Sequence, residues 1–143
     1  MPTVGAQALG ARWSFPEDVM SRLLIVDDEP EYLDELVEAL AFGGIESTSV
    51  RSAAAAIEAV KTDPEIAIVL TDLRMPDMDG VSLIINLKKT FPARNLAFVV
   101  MTGHAAEADM ASAMAAGAVR CFPKPLAFDA LQTTIEKLEG APA

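Results

Sequence analysis

The sequence predicts an α/β fold, a doubly wound five-stranded parallel sheet built from five successive strand–helix units. Three observations predict it. From Arg22 to Leu138, strand-like apolar runs alternate with segments whose apolar residues recur at helical spacing. Such alternation, joined by right-handed crossovers, gives a parallel sheet covered on both faces. The run Ile66 to Thr71 is continuous rather than alternating, as expected of a central strand buried on both sides. Pro123 closes the fifth run, and proline tolerates an edge strand but not a central one.

Each element has its own local reason. Leu23 to Val26 is the first strand. Pro30 suits the first turn of the helix that follows, whose face is Tyr32, Leu33, Leu36, Val37 and Leu40. Gly43-Gly44 ends it, and Ile45 to Val50 is a short second strand. Ser52 caps a helix over Ala53 to Lys61, stopped by Asp63-Pro64. After Ile66 to Thr71 comes a loop carrying Pro76 and Gly80. Val81, Leu83, Ile84 and Leu87 then form a helix face that ends at Phe91-Pro92. Ala97 to Met101 is the fourth strand, and Ala105 to Ala116 an alanine-rich helix closed by Gly117. Its Met110 and Met114 are read as core residues. Val119 to Phe122 is the fifth strand, and Phe128, Leu131, Ile135 and Leu138 make the last helix face.

The chain of 143 residues is long enough for one domain with a substantial core. Residues 1–20, with Pro2, Gly5 and Gly10 and only Trp13 and Phe15 as large apolar anchors, read as an N-terminal extension or leader; residues 21–143 form the domain. A net charge of −10 argues against direct nucleic-acid contact, which needs a basic face. The single cysteine, Cys121, rules out an internal disulfide and fits a reducing cytoplasm. No apolar run reaches the length of a membrane span.

The chemistry lies at the strand ends. Asp27-Asp28 follows the first strand, Asp72 the third, Thr102 the fourth and Lys124 the fifth. In a parallel α/β sheet, ligands bind in the crevice beyond the carboxyl ends of the strands. An acidic cluster, a hydroxyl and an ammonium therefore meet at one mouth, a set suited to a divalent cation and a phosphoryl group. Taken singly, each residue is more simply a cap, a turn hydrogen bond or a solvated side chain; the joint pattern carries the reading.

These residues are set in the motifs Asp27-Asp28, Asp72-Leu73-Arg74-Met75-Pro76-Asp77-Met78-Asp79-Gly80, Thr102-Gly103-His104 and Lys124-Pro125. Asp72 lies 44 residues after Asp28, and Thr102 and Lys124 lie 30 and 52 residues after Asp72. In motif order and spacing the chain resembles the receiver domain of two-component response regulators over 22–138. The resemblance implies the flavodoxin-like strand order 2-1-3-4-5. It also implies Asp72 as phosphoacceptor, and Mg²⁺ held by Asp28, Asp72 and the backbone carbonyl of Arg74, with Asp27 acting through water. Thr102 and Lys124 would bind the phosphoryl group, and Pro125 would follow a cis peptide that aims the lysine. His104 would stand at the rim of the site, tuning water access, or be simply exposed.

One position departs from that family. Where it usually has Tyr or Phe in the fifth strand, this chain has Cys121. Either another element carries the signal or the coupling is weaker. The partners implied are a histidine kinase or phosphotransfer protein upstream, and a downstream target or a separate output domain. The chain itself would be a monomer or weak dimer, with no membrane partner. The expected chemistry is Mg-dependent self-phosphorylation and autodephosphorylation at Asp72, not substrate turnover. A dehalogenase-like phosphatase would need an Asp-x-Asp pair, which Asp27-Asp28-Glu29 does not provide. A receiver serving only as a binding module is disfavoured by the intact acid set.

Overall fold

The computed structural model describes residues 22–103 and 107–140. The extension read over residues 1–20, with Trp13, and the rim residue His104 lie outside the described residues. The elements are β1 (Leu23–Val26), α1 (Pro30–Phe42), β2 (Ser47–Val50), α2 (Ala53–Thr62), β3 (Ile68–Asp72), α3 (Gly80–Thr90), β4 (Ala97–Thr102), α4 (Glu107–Ala116), β5 (Ala118–Pro123) and α5 (Phe128–Gly140). The strands form one sheet in the order β2-β1-β3-β4-β5, every pair parallel. The doubly wound reading holds, and β5 is an edge strand.

Strand residues alternate between two core layers, because successive side chains point to opposite faces. Leu24, Val26, Val69 and Val100 pack with Ala56, Val60, Leu83, Ile84, Leu87 and Ala113 of α2, α3 and α4. Leu23, Ile25, Leu70, Val99 and Phe122 pack with Leu33, Leu36, Leu40, Leu131 and Ile135 of α1 and α5. β1 and β3 are buried at every residue, which explains their continuous apolar character.

Two strands are shorter at their start than the apolar runs imply. The Ile45 amide donates to the Leu40 carbonyl, so Ile45 belongs to the cap of α1 rather than to β2. The Ala67 and Ile68 amides both donate to the Arg22 carbonyl. The β3 ladder therefore starts late and runs on to Asp72, which pairs in register with Met101.

Two helix faces are corrected. Met114 is 47% exposed and Met110 half-buried; Ala113 is the buried residue of α4. A small residue on the inward face lets the helix lie close to the sheet, and Met114 is left exposed. Phe128, at the start of α5, is 37% exposed, while Leu126 just before the helix is buried in its place.

Gly80 fixes how α3 leaves the sheet. A Cβ there would stand 2.6 Å from the Asp72 carbonyl oxygen, and the Gly80 amide donates to the Leu73 carbonyl at 2.8 Å. Only a residue without a side chain allows this approach directly behind the acidic strand end.

Candidate functional site

The sheet brings the tips of β1, β3, β4 and β5 to one edge. Asp27, just after β1, is fully buried, and Asp72, the last residue of β3, is 6% exposed. The Lys124 amide donates to the Thr102 carbonyl at 2.8 Å, extending the β4–β5 pairing by one residue. From there the side chain reaches back across the sheet edge. Its Nζ donates to Asp27 Oδ2 and to Asp72 Oδ2, both at 2.9 Å, and lies 3.5 Å from Glu29 Oε1. The Lys124–Pro125 peptide is cis.

The other carboxylate oxygens also have partners. Asp27 Oδ1 accepts the Glu29 amide at 2.9 Å, and Asp72 Oδ1 accepts the Arg74 amide at 3.2 Å. Thr102 is buried at the end of β4. Tyr32, in the first turn of α1, lays its ring against Lys124, with Nζ 4.6 Å from the ring centroid.

Among the described residues, carboxylate oxygens of Asp27, Glu29 and Asp72 lie within 4.8 Å of one another. Asp28 is half-buried and lines an adjoining cleft with Glu29, Glu31, Tyr32 and Glu35. Three carboxylates thus face one ammonium. Two unit charges at that spacing repel by roughly 3 kcal/mol at an effective dielectric near 20, and the lysine leaves the group with an excess of negative charge that attracts a cation.

Protonation equilibria follow this crowding. Burial pushes the Asp72 carboxyl above its ordinary value, more than the hydrogen bonds from Lys124 and Arg74 pull it down. Burial works against the charged Lys124, but its hydrogen bonds to Asp27 and Asp72 outweigh that and hold it well above the ordinary lysine value. Burial also raises the Tyr32 phenol, offset in part by the Leu126 amide and by Lys124. The Cys121 thiol is raised by burial alone; it packs on the core layer beneath α2, α3 and α4, while Phe122 faces the other layer.

The loop after Asp72 is tied down on both sides. The Arg74 guanidinium bonds Asp109 of α4 at 2.6 Å. Asp77 accepts the Ala53 and Ala54 amides at 3.3 and 3.1 Å, and Ser52 Oγ accepts the Ala55 amide at 3.1 Å. Three open amides at the start of α2 are thereby satisfied. The Ala54 hydrogen bond holds the Asp77 carboxyl below its ordinary value of 3.8. Its contribution to stability is present above that value and is lost as pH falls through the lower folded value. Asp77→Ala is expected to cost about 1 kcal/mol in urea denaturation at neutral pH, and the difference from wild type shrinks on acidification below the ordinary carboxylate range.

Sequence reasoning missed two members of this cluster. Glu29 looks like an ordinary residue before a helix, yet its amide closes a turn on Asp27 and carries it to the mouth. Tyr32 reads as a helix-face residue, and nothing local reveals that the face meets the lysine just after β5.

The sequence pattern of the response regulator receiver domain family matches residues 23–136, and the chain belongs to that family. It is 33% identical over 119 residues to the two-component response regulator PprB of Pseudomonas aeruginosa, covering 82% of this chain and 43% of that protein. The chain therefore spans less than half the length of that relative. Among solved structures it resembles the signal receiver domain of a DNA binding response regulator from Colwellia psychrerythraea 34H. The identity there is 30% and the TM-score 0.75, with 83% of this chain and 98% of the other covered. It also resembles the CheY-like receiver domain protein from Methanospirillum hungatei JF-1, at 29% identity and TM-score 0.73, with 84% and 94% covered. No helix among the described residues is long and apolar enough to cross a membrane.

Proposed function

We propose that Asp72 accepts a phosphoryl group from a histidine kinase or phosphotransfer protein in a Mg²⁺-dependent reaction, and that the chain signals through the resulting surface change. The observation that carries this reading is the Lys124 ammonium, bonded at 2.9 Å to both Asp27 and Asp72 at the mouth of the sheet.

The donors fit Mg²⁺. The carboxylate oxygens of Asp27, Glu29 and Asp72 are grouped within 4.8 Å, with Asp28 lining the adjoining cleft; such hard oxygens are the ligand type this ion prefers, and their charge exceeds that of the one lysine. We assign Asp28, Asp72 and the Arg74 carbonyl to the ion and Asp27 to a water-mediated contact, with Glu29 as a further donor. When bound, the ion supplies positive charge against the repulsion between the acceptor carboxylate and the incoming phosphoryl group.

In the transfer, an Asp72 oxygen bonds to phosphorus as the phosphorus–nitrogen bond of a phosphohistidine breaks. The electron pair leaves with the imidazole nitrogen, which then takes up a proton. The chain's own contribution is positioning and electrostatics, as is general for phosphoryl transfer. Buried Asp72 is aimed by the end of β3, Lys124 meets the phosphoryl oxygens, and Thr102 donates its hydroxyl to them from β4. His104, two residues after Thr102 in the sequence, would tune water access at the rim. With Cys121 in place of an aromatic residue, the signal would pass to the α4 and β5 surface by another route, and the Arg74–Asp109 contact links the acceptor loop to α4. The site's role would be exercised in the cytoplasm, on a protein partner or a separate output domain. We infer a monomer or weak dimer and, from the net charge of −10, no direct nucleic-acid contact.

The test is incubation with acetyl phosphate and Mg²⁺ followed by intact-mass measurement. We expect the gain of one phosphoryl group, absent from Asp72→Asn and in the presence of a chelator. A chain that neither gains that mass nor binds beryllofluoride with Mg²⁺ would instead be a binding module.

A further inference from the structure

Lys124 is a flexible side chain that must hold one position between two carboxylates. Long lysine stems carry substantial rotamer freedom, so something beyond the acids has to confine it. The residue in place to do so is Tyr32, the chain's single tyrosine. Its ring faces the ammonium 4.6 Å from Nζ, and its hydroxyl oxygen accepts the Leu126 amide at 3.4 Å. One side chain of α1 thus engages both ends of the short segment from Lys124 to Leu126. The body of the ring packs against the core layer of α1 and α5, which limits its movement. The lysine side chain is left only 13% exposed.

We propose that Tyr32 is a positioning residue for phosphoryl transfer at Asp72, its ring holding the Lys124 ammonium at the point where acceptor and phosphoryl oxygens meet. This rests on the reading of Asp72 as phosphoacceptor. The physical reason is the geometry of the transfer. Once an Asp72 oxygen is bonded to phosphorus, the carboxylate contact of Lys124 must be exchanged for one to a phosphoryl oxygen. A ring face attracts a cation without a fixed hydrogen-bond direction. It therefore keeps the ammonium in place during that exchange, whereas a carboxylate partner would compete for it. Tyr32 touches neither the acceptor nor the donor in this scheme and acts through Lys124.

The test compares wild type, Tyr32→Phe, Tyr32→Leu and Val37→Ala for the rate of phosphorylation by acetyl phosphate with saturating Mg²⁺. Val37 is a half-buried α1 residue on the same core layer, so its truncation reports a loss of packing alone. We expect Tyr32→Leu to be about fivefold slower, within the range a desolvated cation–ring contact supplies. Tyr32→Phe should stay near the wild-type rate because it keeps the ring, and Val37→Ala should do so despite a lower melting temperature. A wild-type rate in Tyr32→Leu, or equal slowing in Tyr32→Phe and Val37→Ala, overturns the inference. If Tyr32→Leu does not fold, Tyr32→Met serves as the ring-free variant, methionine being an adaptable filler.

A second measurement does not depend on phosphorylation. A double-mutant cycle of Tyr32→Leu with Lys124→Met should be non-additive by about fivefold in the unfolding equilibrium constant. Additivity overturns the contact. A wild-type chain that gains no phosphoryl mass while the cycle shows coupling overturns the role of Asp72 and leaves the Tyr32–Lys124 contact standing.

Discussion

Lys124→Met should lower stability at neutral pH by roughly 3 kcal/mol, because removing one partner of a buried ion pair leaves the other charges uncompensated. Methionine keeps most of the aliphatic stem, so the change isolates the charge. The residues left behind are fully buried Asp27 and nearly buried Asp72, with Glu29 in the same oxygen group. Asp72 already has a raised folded value in the presence of the lysine, and without it the rise is larger. A carboxyl whose folded value exceeds its unfolded value gains stability as pH falls through the folded value. The deficit of Lys124→Met should therefore shrink between neutral pH and about pH 4, near the unfolded carboxylate value. Urea denaturation at several pH values checks this, and a deficit independent of pH would assign the loss to packing. The same variant should accept phosphate from acetyl phosphate roughly a hundredfold more slowly, the scale on which losing one preorganised charge partner slows a reaction.

The second large effect is the response to metal. At a Mg²⁺ concentration ten times the dissociation constant, binding to the folded chain alone adds about 1.4 kcal/mol, which corresponds to roughly 5 °C in melting temperature for a domain of this size. Thermal unfolding across a Mg²⁺ titration measures it. We expect Asp72→Asn to remove most of the increment, since its oxygens are common to the carboxylate group and to the donor set we assign. Asp28→Ala and Glu29→Ala then separate the two flanking donors. A large loss in Asp28→Ala alone supports the resemblance-derived set, and a large loss in Glu29→Ala brings the neighbouring carboxylate into it. A melting temperature unchanged by Mg²⁺ would count against a metal site here.

Much of this protein was legible along the chain because its strands are short and local. Each buried strand ends within a residue or two of its apolar run, and the polar residue that follows is carried to the sheet edge by backbone geometry alone. That is why Asp27, Asp72, Thr102 and Lys124 could be named before any contact was known. Pro123 marked β5 as an edge strand for an equally local reason, the missing ladder donor. The parts read incorrectly depend on how far apart elements pack. Met110 and Met114 carry enough apolar surface to be core residues, but α4 approaches the sheet through Ala113, so the small residue is the buried one. Phe128 lost its inward position to Leu126, which stands two residues earlier and is buried in the layer of α1 and α5.

The sequence by itself determined the strand–helix order, the parallel sheet and the identity of the acids, hydroxyl and ammonium at its mouth. These follow from periodicity and from which residue types end each strand. Only the tertiary structure decided which carboxylates share the lysine, that Glu29 joins them, and that Tyr32 lies against it. Those contacts join residues from 52 to 97 positions apart, and side-chain reach across a sheet edge leaves no periodic trace in a chain.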